Sequence, residues 1–201
     1  MAPEDAALAA MTALAAAAIG YAVAWLRVDL DLRPRSVAVR SALISAVFAG
    51  IWLSRPDGGA ILILFAAFGP LVWIDSKRRL LPDPITLPLT AIGLMTAIAG
   101  GRGVDAVIGA ALGYAVFRAA SLIWLKARGV DALGHGDAKL LAAIGAFLGW
   151  AALPEVVFIA AVSGVATALI PRTGASRDEI AFGPSLAMGA ALSWAVGPVF
   201  G

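Results

Sequence analysis

Residues 59–79 read GAILILFAAFGPLVWIDSKRR. From Gly59 to Ile74 the run carries no charge. It then meets Asp75 and the basic triplet Lys77, Arg78 and Arg79. A bilayer-spanning helix needs about 20 predominantly apolar residues, with a range of roughly 17–25. Basic residues collect at the cytoplasmic end of such a helix. The stretch therefore predicts a transmembrane helix that runs inward and ends at Asp75.

Working outward, seven further stretches have the same character. Spans are expected at about 6–26, 37–53, 59–76, 84–100, 103–125, 137–152, 154–171 and 180–199. Breakers separate them: Arg33-Pro34-Arg35, Pro56-Asp57-Gly58-Gly59, Gly100-Gly101-Arg102-Gly103 and Pro171. The expected fold class is all-α, a polytopic transmembrane helical bundle of about eight spans forming one integral membrane domain. Residues 1–58 would supply two N-terminal spans and a short cytoplasmic loop, and residues 59–201 the core. The N-terminal residues carry Glu4 and Asp5 and lack the basic start of a signal peptide, so the first span is expected to be retained.

Composition agrees. The chain is 61% hydrophobic and 14% charged, against roughly 45–50% and about 25% in soluble domains. Its mean hydropathy is +0.92. Lipid is thus expected to be the main solvent, and the backbone must satisfy itself inside helices or a closed barrel. The short alternating segments of a barrel are missing. There is no cysteine, so disulfides, thiolate metal sites and cysteine nucleophiles are ruled out together. With one histidine besides, only carboxylates remain as ligands, and neither a metal nor another cofactor is expected.

A sequence pI near 9.4 reads as loop asymmetry rather than as affinity for nucleic acid. One set of loops holds twelve basic residues: Arg27, Arg33, Arg35, Arg40, Lys77, Arg78, Arg79, Lys126, Arg128, Lys139, Arg172 and Arg177. The opposite set holds Arg55 and Arg102 only. This asymmetry predicts both termini outside a cytoplasmic membrane and the basic loops inside.

Most acids fall in wet loops or at helix starts. Asp75 and Asp137 differ. The third span runs inward to Asp75 and the sixth runs outward from Asp137, so both carboxylates are expected at one depth near the cytoplasmic face. Ionisable groups at a membrane boundary are costly and are functional candidates. Two carboxylates in one site cannot both ionise cheaply, so they share a proton. In that state one can activate water while the other polarises a carbonyl.

Three stretches around these acids resemble the prepilin peptidase family of membrane aspartic proteases. Asp75-Ser76-Lys77-Arg78-Arg79-Leu80-Leu81-Pro82-Asp83, followed by Pro84-Ile85-Thr86, is similar to that family's Asp-x5-Leu-Pro-Asp-x2-Thr pattern. Gly134-His135-Gly136-Asp137-Ala138-Lys139-Leu140 resembles its Gly-x-Gly-Asp-x-Lys-Leu pattern. Ile180-Ala181-Phe182-Gly183-Pro184-Ser185-Leu186-Ala187 is similar to an Ile-Pro-Phe-Gly-Pro-x-Leu-Ala stretch, with Ala181 where proline is usual. The resemblance covers roughly residues 59–200. It implies an aspartic peptidase core with Asp75 and Asp137 as the catalytic pair. The implied partners are lipid and the helix of a type IV prepilin or pseudopilin, whose basic leader is cut in the cytoplasm. Family members that also N-methylate the product carry a long loop after the first span, often with paired cysteines. Here that loop runs only from Arg27 to Ser36, and methylation is not expected.

Around the pair, Asp83 before Pro84 reads as a helix cap, with a share in catalysis or substrate binding as the lesser reading. Gly134 and Gly136 would either bend the loop or let backbone approach substrate. His135 reads as an exposed loop residue. Lys139 would snorkel to the interface or act on the nearby carboxylate. Lys77, Arg78 and Arg79 would anchor at headgroups. Phe182-Gly183-Pro184 reads as a rigid turn into the last span. A rival class, a proton-coupled transporter or channel, would place its carboxylates near the bilayer midplane, often between inverted repeats. Here both lie at one face and no repeat is evident.

Overall fold

The computed structural model describes residues 12, 18, 34–52, 59–128, 134–169 and 181–197. Among them are seven α-helices and no strand. These are α1 (Pro34–Trp52), α2 (Ile61–Arg78), α3 (Asp83–Ala99), α4 (Gly103–Arg128), α5 (His135–Leu148), α6 (Leu153–Leu169) and α7 (Gly183–Val196). In order and approximate position they correspond to the second to eighth apolar stretches of the sequence. The first expected span lies outside the described residues, apart from Thr12 and Ala18, which are helical.

Two helices form the middle of the bundle. α2 packs against α1, α7, α3 and α5, and α5 packs against α4, α3, α7, α6 and α2. Their side chains dominate the core, with Phe65, Phe68, Leu71, Ile74, Leu140, Leu141 and Ile144 almost fully buried. The outer helices expose large apolar side chains instead, among them Val47, Met95, Val107, Ile123, Phe158 and Val165. Large apolar side chains exposed on several helices are what a non-aqueous surrounding would cover. Among the described residues one helix, over Gly103–Ile123, is long and apolar enough to cross a membrane. Ser36–Trp52, Asp83–Ala99 and Leu153–Thr167 are shorter apolar helices.

Close helix contact depends on two local devices. Pro70 inside α2 has no N–H to give the Ala66 carbonyl one turn back. Ser45 on α1 repairs the gap: its hydroxyl donates to Ala66 O at 3.0 Å and its oxygen accepts from Gly69 N–H at 3.1 Å. On the other side, α4 meets α5 backbone to backbone. A Cβ on Gly109 would run into Gly145 O, and a Cβ on Gly145 into Gly109 O. Small residues are what permit such an approach.

The sixth span departs from its expected bounds. It was expected over 137–152, but α5 starts at His135 and ends at Leu148, where Gly149 leaves the helix with φ 86°. At 14 residues, α5 is about 21 Å long, well under the ~30 Å hydrocarbon thickness. The shortness matters for the site, because Asp137 stands near one end of it.

Candidate active site

α2 ends where Arg79 takes the left-handed conformation, φ 52° and ψ 40°, its N–H bonding Asp75 O at 2.8 Å. This cap stops the helix and turns the chain through Leu80, Leu81 and Pro82 into α3. Asp75 therefore occupies the last turn of α2 and is 4% exposed. Asp137 occupies the first turn of α5 and is 9% exposed. Both face one cleft of about 250 Å³, which Asp83, Gly134, Gly136 and Lys139 also line. The topology thus brings together every site residue named from the sequence.

Each aspartate accepts a backbone amide. Gly183 N–H donates to Asp75 Oδ2 at 2.9 Å. The Gly134 amide is hydrogen-bonded to the Asp137 carboxylate. Burial and the neighbouring carboxylate both disfavour two negative charges here, so a single shared proton is the economical state.

The supporting residues have roles other than those their local sequence suggests. Asp83 does not cap α3 through its side chain. Pro82 occupies the cap position, with φ −70° and ψ 128°, and Asp83 is the first helical residue. Its carboxylate accepts from Lys139 Nζ at 2.6 Å, tying α3 to α5 across the cleft mouth. Lys139 is therefore engaged with Asp83. Neither Gly134 nor Gly136 has positive φ. What Gly136 supplies is room: a Cβ there would lie 2.7 Å from Leu81 Cβ. His135 is exposed as expected, but it is the first residue of α5 and its Nε2 accepts from Arg118 Nη1 at 2.8 Å.

Two contributors escaped the sequence reading. Arg79, expected at the headgroups, lines the cleft and acts electrostatically on Asp75. Lys77 stays near Trp73, 5.3 Å from its ring centroid, and Arg40 from α1 covers the same ring at 4.3 Å. Gly183 was read as part of a turn, yet it touches Asp75 directly. The only sequence signal for either was position within a motif. Among the described residues no group of three or more histidine, cysteine, aspartate or glutamate side chains is placed to hold a metal ion.

Paired buried carboxylates at one end of a helical bundle place this chain in a recognisable class, the helical proteins with an aspartate dyad. Residues 59–169 match the model of the type IV leader peptidase family, and the chain belongs to that family. It is 40% identical over 177 residues to a prepilin leader peptidase/N-methyltransferase of Pectobacterium carotovorum subsp. carotovorum, covering 82% of this chain and 63% of that protein. It is 42% identical over 181 residues to a protein of the same description from Burkholderia pseudomallei (strain K96243), covering 87% of this chain and 58% of the relative. The Escherichia coli (strain K12) relative is 39% identical over 140 residues, 67% of this chain and 62% of that protein. The chain spans about three fifths of the length of these curated relatives. No solved structure matches it.

Proposed function

We propose that this protein is a membrane-embedded aspartic endopeptidase that removes the basic leader from type IV prepilin-like or pseudopilin substrates at the cytoplasmic face. The observation that carries the reading is the placing of Asp75 and Asp137, both buried, on one cleft in a chain of the type IV leader peptidase family. The prepilin substrate class comes from the relatives' descriptions.

The chemistry needs only the pair and a water molecule. The ionised carboxylate takes a proton from water as the water oxygen bonds to the scissile carbonyl carbon. The protonated carboxylate gives its proton to the carbonyl oxygen. The resulting gem-diol collapses as the C–N bond breaks. The leaving amine takes the proton held by the first carboxylate, and the second recovers one from the diol, so the dyad returns to its starting state. No covalent enzyme intermediate forms.

Eight spans with both termini outside would set the cleft at the cytoplasmic boundary of a bacterial inner membrane. The basic loops and the exposed apolar faces of the outer helices support that placing. The cleavage site of a prepilin joins a cytosolic leader to a membrane helix, and its scissile bond would meet the dyad at this depth. The substrate helix and surrounding lipid are the expected partners. N-methyltransferase activity is not part of the proposal, since the loop from Arg27 to Ser36 is short and the chain has no cysteine.

The test is incubation of the purified protein in liposomes with a prepilin-type peptide, followed by sequencing of the new N-terminus. Release of the intact leader at the junction with the hydrophobic helix is expected. An inert protein that instead conducts protons across the liposome membrane would sink the reading in favour of a transporter.

A further inference from the structure

The two aspartates are held by different means. Asp137 lies in the first turn of α5 and is bonded by the amide of Gly134, the N-cap of the same helix. Its own turn sets its place, as in a capping box. Asp75 lies in the last turn of α2, at the negative pole of that helix. Free amides stand at the opposite end of a helix, so α2 offers this carboxylate none. The donor arrives from 108 residues away, at 2.9 Å, as Gly183 N–H.

The local sequence shapes that donor. Gly183 is the first residue of the 14-residue helix α7, so its amide has no intrahelical partner and sits at the positive pole. Pro184 follows with no N–H and a fixed φ. A Cβ at 183 would lie 2.7 Å from Asp75 Oδ2, so only glycine lets the backbone come this near. Phe182 is braced on the Phe117 ring, centroids 5.6 Å apart. This stretch lies beyond the residues matched by the family's model, which end at 169, within the third motif read from the sequence.

We infer that Gly183 is a positioning residue of the active site, its backbone amide fixing Asp75 and sustaining the ionised form that takes the proton from water, with Asp137 as the proton-bearing partner. The inference rests on the peptidase reading and deepens it. Groups facing Asp75 are Arg79 from its own helix end, Asp83 from α3, and His135, Asp137 and Lys139 from α5. Burial is the largest influence and opposes a charge on Asp75, while the Gly183 amide and then Arg79 favour it; a like charge on Asp137 would add to the opposition.

The test is an amide-to-ester replacement at position 183, made by translation with the α-hydroxy acid analogue of glycine. It deletes one N–H and adds no side chain. A hydrogen bond to a charged group is lost, so kcat on the prepilin peptide is expected to fall about ten- to a hundredfold, with KM nearly unchanged. Without the amide Asp75 protonates more readily, so the acid limb of the pH–rate profile is expected to move to higher pH. Unchanged kcat, or movement of the alkaline limb alone, would overturn the inference. An infrared titration of the isotope-labelled aspartates needs no turnover. If the wild type proves inert, the peptidase reading fails on its own. The same titration then still decides the contact, because Asp75 protonates at higher pH in the ester protein only if Gly183 supports its charge.

Discussion

Single residues set the shape of the cleft. The Asp83–Lys139 pair is short, at 2.6 Å, but Asp83 is 53% exposed. Water screens such pairs, and exposed ones contribute about 0.2–1 kcal/mol. Asp83→Asn is therefore expected to lower thermal stability by no more than about 1 kcal/mol. A loss much larger than that in a detergent melt would mean the pair organises the fold. Gly136 is a sharper case, because the atom that a new Cβ would meet is Leu81 Cβ. Gly136→Ala is expected to cripple cleavage. Leu81→Gly should restore part of it in the double variant, whereas Leu81→Ala should not, since alanine keeps the offending atom. Equal rescue by both would contradict the packing argument. The sequence made Asp75 and Asp137 legible because their motifs surround them. It hid the partners of Asp83 and Gly183, since contacts spanning 56 and 108 residues leave no local pattern.

At the level of helices, the Ser45–Pro70 arrangement joins α1 to α2. Ser45→Ala leaves the Ala66 carbonyl and the Gly69 amide without the partners they have now. Unsatisfied buried groups cost about 1–3 kcal/mol, and a loss of that size is expected in unfolding titrations. Pro70→Ala should reduce the loss, because a restored N–H can serve Ala66 directly. A double-mutant cycle with no coupling would show that the serine acts independently of the proline. Seven helices were legible from apolar runs and their Gly/Pro breakers. Their ends were less so. α5 stops early because Gly149 turns there with positive φ, and it begins early because Gly134, two residues before Gly136, serves as its N-cap. An apolar run defines how far lipid or core extends, but not where hydrogen-bonded turns close.

For the whole molecule, the arrangement of charge is the basis of the proposed orientation. The absence of cysteine makes orientation easy to read, since any introduced thiol is unique. Arg102→Cys is expected to react with an impermeant maleimide in intact cells, and Lys126→Cys only after permeabilisation. Identical labelling of the two would contradict the proposed topology. The charge pattern is read from the sequence alone, because the positive-inside rule acts on residue counts and not on packing. The meeting of α2 and α5 was legible only as an inference from depth. Their burial at the middle of the bundle is a packing result that follows from the small residues and aromatic side chains of their neighbours.

The central claim is that Asp75 and Asp137 act together on one peptide bond. It is tested most directly by cleavage kinetics on a prepilin-type peptide, wild type beside Asp75→Asn and Asp137→Asn, each shown to be folded. Loss of a general acid or base costs typically 10²–10⁴-fold, so each variant is expected to fall by at least about a hundredfold. The double variant should be scarcely worse than either single one, because the two groups work as a unit. Near-normal cleavage by either folded variant would contradict the account.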